Sequence, residues 1–261
     1  MDLFNQGVMN EEEAETQLYD AISQIQLTDE VCITSYITRV TVCDGITNVG
    51  EFAFRQFENL KNTQLPNSIT EIGDWAFSSC IGLTSITIPN SVTKIGEGAF
   101  SSCKSLISIT IPNNVTKIQA NSFEMCTNLT NIIIPDSVTK IENGVFSHCT
   151  NLTSVIIPNG VTQIENGAFN CCTSLSSITI PNGVTQIKDD TFASCRSLTS
   201  VIIPDSITQI GNYAFSDCTS LTNLIIPSSV TEIDRWAFLN VPHITYNGTA
   251  TGAKWGAKAM N

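Results

Sequence analysis

The chain has 261 residues, 42% of them hydrophobic, and a formal net charge of −12. That composition supplies material for a core and excludes general disorder, while the acidic balance argues against nucleic acid as a partner. No stretch reaches the ~18 consecutive apolar residues of a membrane-crossing helix, so insertion into a membrane is not expected.

The charge is uneven. Residues 1–36 hold eight acids (Asp2, Glu11, Glu12, Glu13, Glu15, Asp20, Asp29 and Glu30) and no Lys or Arg, whereas the remainder is close to balance, with 16 acids against 12 bases. Residues 10–25 read as an amphipathic helix. Asn10 caps its start, Glu11 to Glu13 suit the positive end of its dipole, and Ala14, Leu18, Ile22 and Ile25 form one apolar stripe. The opening residues lack the basic start and apolar run of a secretory signal, so an intracellular site is the expectation from sequence.

From Ile37 onward a 23-residue unit recurs without slippage. Pro66, Pro89, Pro112, Pro135, Pro158, Pro181, Pro204 and Pro227 keep that step, as do nine phenylalanines from Phe54 to Phe238. Self-similarity at a fixed period of this size marks a solenoid, each coil burying its apolar edge against the next. Nine coils start at Ile37, Leu60, Leu83, Leu106, Leu129, Leu152, Leu175, Leu198 and Leu221.

Within the third coil, Ile86 and Ile88 alternate with Ser85 and Thr87, which predicts a short strand with one buried face. Pro89 ends its ladder and Asn90 supplies turn chemistry. Val92 and Ile95 then turn inward. Ala99, Phe100, Cys103 and Leu106 fall at steps of three or less, which predicts a helical or 3₁₀ corner closing the coil. Strands repeated once per coil stack in parallel roughly 4.8 Å apart, giving a body of about 40 Å in which each inward residue lies over its own copy.

The expected organisation is an acidic N-terminal cap over residues 1–36 (a loose acidic tail being the rival reading), a nine-coil solenoid over 37–243 and a C-terminal cap over 244–261. Asn247-Gly248 makes a tight turn there, and Trp255 covers the open end of the core.

The pattern carried by Leu83, Ile86, Ile88, Pro89, Val92, Thr93, Ile95, Ala99, Phe100 and Cys103 resembles the BspA-like branch of the leucine-rich repeat superfamily. The resemblance spans about residues 37–243, and the closing GTATGAKW is similar to an end motif of that family. It implies a leucine-rich-repeat solenoid, a non-enzymatic role in adhesion to host or matrix proteins, and a place at the cell surface.

Seven cysteines share the period: Cys80, Cys103, Cys126, Cys149, Cys172, Cys195 and Cys218. They lack the paired spacing of a zinc site. Copies in one column point the same way, which disfavours disulfides and leaves a column of buried thiols as the expectation. Cys32, Cys43 and Cys171 lie off it, and Cys171 should face outward. His148 and His243 are four coils apart, so no Ser-His-Asp or Cys-His pairing is expected, nor any cofactor site. Lys94, Lys117 and Lys140 form a short basic line, with Glu142, Glu165 and Lys188 in a neighbouring column of solvated charges. Thr47 and its eight copies through Thr231 form a threonine ladder. Ice or carbohydrate contact is one reading of it, hydroxyls bonding between coils the other.

The expected interaction surface is the outward face of the stacked strands. One column reads Thr87, Thr110, Ile133, Ile156, Thr179, Ile202 and Ile225; beside it runs another that includes Asn131. Aliphatics among small hydroxyls make a shallow surface of the kind repeat proteins use for protein partners, the competing reading being that isoleucine simply suits a strand. The function expected is therefore a non-enzymatic, adhesin-like module binding a partner protein on that face. The alternative is an intracellular scaffold or regulatory repeat.

Overall fold

The computed structural model describes residues 37–246. The acidic helix over 10–25, Cys32, the Asn247-Gly248 turn and Trp255 lie outside those residues. What is described is a parallel solenoid of nine coils. The nine phenylalanines form one unbroken stack from Phe54 to Phe238, with successive ring centroids 5.1–5.8 Å apart and planes within 23° of parallel. Phe77 through Phe238 in that stack are fully buried. The column beside them, Cys80 to Cys218, is equally buried, as are the leucines that open each coil from Leu60 to Leu221.

Most coils contribute two short parallel strands rather than the single one expected. The first kind lies before the proline: Arg39–Thr41, Asn62–Gln64, Ser108–Thr110, Asn131–Ile133, Ser177–Thr179, Ser200–Ile202, Leu224–Ile226 and Ile244–Tyr246. Coil register is 23 residues in all but the last of their pairings, as in Asn131 opposite Ser108 and Ile133 opposite Thr110. This ladder is interrupted. Residues 84–88 have no strand, and the 152 coil contributes only a bridge between Ile156 and Ile133.

The second kind follows the proline turn and has two residues, as in Lys94–Ile95, Lys117–Ile118 and Lys140–Ile141. These form three-stranded sheets, with Ile95 over Ile72 and Ile141 over Ile118. A two-residue strand is too short to show alternation in sequence, so only the burial of its isoleucine was legible.

The corner is not helical; among the described residues there is no helix. Two positions per coil, four residues apart, take a left-handed φ between +52° and +63°. Trp75 and Ser79, Gly98 and Ser102, and Gly167 and Cys171 are examples. A right-handed helix cannot continue through such residues. The amides alternate instead. Ala76, Ser78 and Cys80 donate locally to Gly73, Trp75 and Phe77, while Trp75, Phe77 and Ser79 donate to Glu97, Ala99 and Ser101 of the next coil. The corner is thus a third ladder between coils, built from successive turns.

The last coil is cut short. Ile244 pairs with Leu224, 20 residues back, so it occupies the inward strand position instead of the coil-opening leucine position its 23-residue spacing implies. Tyr246 secures the end, its hydroxyl donating to the Val230 carbonyl at 2.7 Å.

Candidate protein-binding surface

Ahead of the proline that closes the first strand in the coils from Leu60 to Leu221, three residues per coil face outward, as Thr84, Ser85 and Thr87 do. Thr87, Thr110, Asn131, Ile133, Ile156, Thr179, Ile202 and Ile225 are all exposed on this face. Pairing brings Thr110, Ile133 and Ile156 into one line and sets Thr179 beside Ile202. The four isoleucines are the most exposed large apolar residues described: 65% for Ile133, 84% for Ile156, 59% for Ile202 and 69% for Ile225. Ile107, 54% exposed, adds a fifth that the sequence reading missed. Its signal was a departure from hydroxyl residues, since Thr84, Thr130, Thr153, Ser176, Thr199 and Thr222 hold the equivalent slot.

This face is electrically blank. From Thr84 to Ile226 none of its outward positions carries a charge, on a chain of net charge −12. Hydroxyls in its outermost column are already committed: Thr130 donates to Ile107 O, Thr153 to Thr130 O and Thr199 to Ser176 O. The face therefore offers aliphatic methyls together with the Ser and Asn side chains of the adjoining column.

The second-strand face is its electrostatic opposite. Lys117 and Lys140 both reach Glu142, at 2.6 and 3.2 Å, and Lys140 also contacts Glu165 at 3.1 Å. Partial burial works to raise the Glu142 carboxyl, but the two ammonium groups outweigh it and hold the carboxyl below its ordinary value. Lys94 pairs separately with Glu71. These charges are spent on one another across coils.

The threonine ladder is likewise inward in its chemistry. Thr70, Thr93, Thr162 and Thr231 donate their hydroxyls to the carbonyls of Thr47, Thr70, Thr139 and Thr208. That favours bonding between coils over an ice- or carbohydrate-binding array.

The column thiols are also occupied. Each donates to the carbonyl of a phenylalanine in an earlier coil, from Cys80 to Phe54 O at 3.0 Å through Cys218 to Phe192 O at 3.1 Å. Burial pushes Cys80, Cys126 and Cys218 up to about 12, and the four between them higher than the ordinary range as well. Thiols so protonated are poor nucleophiles and poor metal ligands. Cys171 lies off the column at a left-handed corner position and is half-buried, as is Cys43.

A family model for the BspA-type leucine-rich repeat region, in six copies, matches residues 26–153 and 139–253. Among solved structures, a leucine-rich repeat protein from Bacteroides ovatus is 25% identical with a TM-score of 0.50. The match covers 83% of this chain and 74% of that one. The pneumococcal vaccine antigen PcpA shares the fold at 19% identity and a TM-score of 0.61, with 88% and 70% covered. No curated protein matches the chain.

Proposed function

Because the chain belongs to the BspA-type leucine-rich repeat family, we propose that it is a non-enzymatic protein-binding module, adhesin-like in character, that receives a partner protein on the first-strand face. The observation that supports this reading is the exposure of Ile133, Ile156, Ile202 and Ile225 on a surface without charge. Buried inward neighbours such as Ile132 and Ile134 satisfy the core, so these outward isoleucines contribute nothing to the folded monomer's interior. Exposed aliphatics set side by side, as Ile133 and Ile156 are, mark interaction sites.

A partner held there gains from desolvating methyl groups and from hydrogen bonds to Asn131, Ser154, Ser177, Ser200 and Asn223. Charge contributes little, so binding should be almost independent of salt. Affinity capture with the wild-type chain and with the double variant Ile133→Glu/Ile156→Glu tests this, with circular dichroism confirming that both are folded. Loss of the captured partner in the variant supports the surface; unchanged capture rejects it. An intracellular scaffold is the second reading, favoured by nine free cysteines among the described residues, a pattern typical of reducing compartments. Surface labelling of intact cells separates the two.

A further inference from the structure

Four Asn-Gly dipeptides occur among the described residues, at two different places on the coil. Asn143-Gly144 and Asn166-Gly167 sit at the corner. Both glycines are left-handed there, with φ of +60° and +61°. Their amides are locked between coils, Gly144 N donating to Asn166 O at 3.0 Å and Gly167 N to Asp189 O at 2.9 Å.

Asn159-Gly160 and Asn182-Gly183 instead form the tip of the turn after the proline. Val161 N closes one turn on Pro158 O, and Val184 N closes the other on Pro181 O, each at 3.0 Å. All four of these residues are exposed, and among the described residues neither Gly160 N nor Gly183 N has a hydrogen-bond partner. The glycines also remove an anchor. Where serine holds this slot, Ser137 donates to Val115 O and Ser206 to Val184 O, tying the turn to the preceding coil.

We propose that Asn159 and Asn182 are sites of spontaneous deamidation, and that coil stacking holds the same dipeptide unreactive at Asn143 and Asn166. In the reactive pair the backbone nitrogen of the glycine attacks Cγ of the preceding asparagine. A new C–N bond closes a succinimide ring, and the side-chain nitrogen leaves as ammonia, carrying away the proton of the glycine amide. Water then adds to one of the two imide carbonyls and opens the ring to aspartate or isoaspartate. A glycine amide already donating to the next coil must first leave that bond, which requires local opening of the stack.

The change has an address in the fold. Asp136 and Asp205 hold the equivalent slot one coil before and one coil after this pair. Conversion therefore turns Asp136, Asn159, Asn182 and Asp205 into four consecutive carboxylates along the margin of the first-strand face, each modification adding one negative charge.

The test is peptide mapping by mass spectrometry of the full chain held at mildly alkaline pH, folded and in urea. In the folded chain Asn159 and Asn182 convert about tenfold or more faster than Asn143 and Asn166, the protection expected from opening a stacked coil. In urea the four rates converge. The double variant Gly160→Ala/Gly183→Ala slows the appearance of acidic species on anion exchange, because a side chain on the attacking residue hinders ring closure. Equal rates at all four sites in the folded chain, or folded Asn159 and Asn182 no faster than Asn143 and Asn166, would overturn the proposal.

Discussion

The thiol of Cys149 donates to the carbonyl oxygen of Phe123, 3.2 Å away and 26 residues earlier in the chain. The same contact links Cys172 to Phe146 and Cys195 to Phe169, so the two most buried columns are joined coil by coil. These thiols ionise far less readily folded than unfolded, where the ordinary value of 9.0 applies. The folded chain therefore keeps its thiol protons at a pH where the unfolded chain releases them. Stability is fully present below about pH 9 and falls as pH rises toward 12. Each thiol contributes up to about 1.4 kcal/mol per pH unit in that window. Urea-melt midpoints should fall accordingly between pH 8 and 11, and Cys149→Ala should shallow that pH dependence by one proton. A melt indifferent to pH across that range would contradict the assignment.

Removing an interior ring from the aromatic stack should be expensive. Phe146 lies 5.8 Å from Phe123 and 5.3 Å from Phe169 and has no exposed surface. Phe146→Ala opens a cavity between two fixed rings and should cost about 3–5 kcal/mol in chemical denaturation. A loss well below ~1 kcal/mol would contradict the placement.

Left-handed corner positions filled by residues other than glycine store strain. Ser194 has φ of +59°, and its amide donates to Ser216 O. The cost of that conformation for a residue with a Cβ is roughly 1–2 kcal/mol. Ser194→Gly relieves it at the expense of backbone entropy and should raise stability by about 0.5–1 kcal/mol. Ser194→Ala keeps the Cβ and should not.

Thr63 occupies an inward strand position where Val40, Ile86 and Ile109 stand in other coils. Its side-chain oxygen is buried without a partner. Thr63→Val removes that desolvated hydroxyl at nearly constant volume, and should stabilise the fold by about 1 kcal/mol in thermal or urea melts.

The proposed binding face illustrates how far sequence reasoning reached. Alternation around Pro135 placed Ile132 and Ile134 inside and Ile133 outside, and the burial pattern agrees. Ile107 escaped because it adjoins the strand at a position where one odd residue breaks no period. The ion-pair network was half legible. The columns of Lys140 and Glu142 were visible in sequence, but Glu142 reaching both Lys117 and Lys140 depends on side chains spanning neighbouring coils.

A fixed 23-residue step determined by itself which residue lies over which through the nine coils, because stacking identical coils sets each side chain over its own copy; only the end departs from it, where Ile244 pairs with Leu224. The Phe stack, the Cys column and the outward isoleucines all follow from that. Only the tertiary structure decided how the backbone reaches those places. Trp75 N can close a local turn or donate to Glu97 of the next coil, and it takes the second course because that coil is present. Helical spacing of Ala99, Phe100 and Cys103 could not reveal this, since the competing acceptor lies a full turn of the solenoid away.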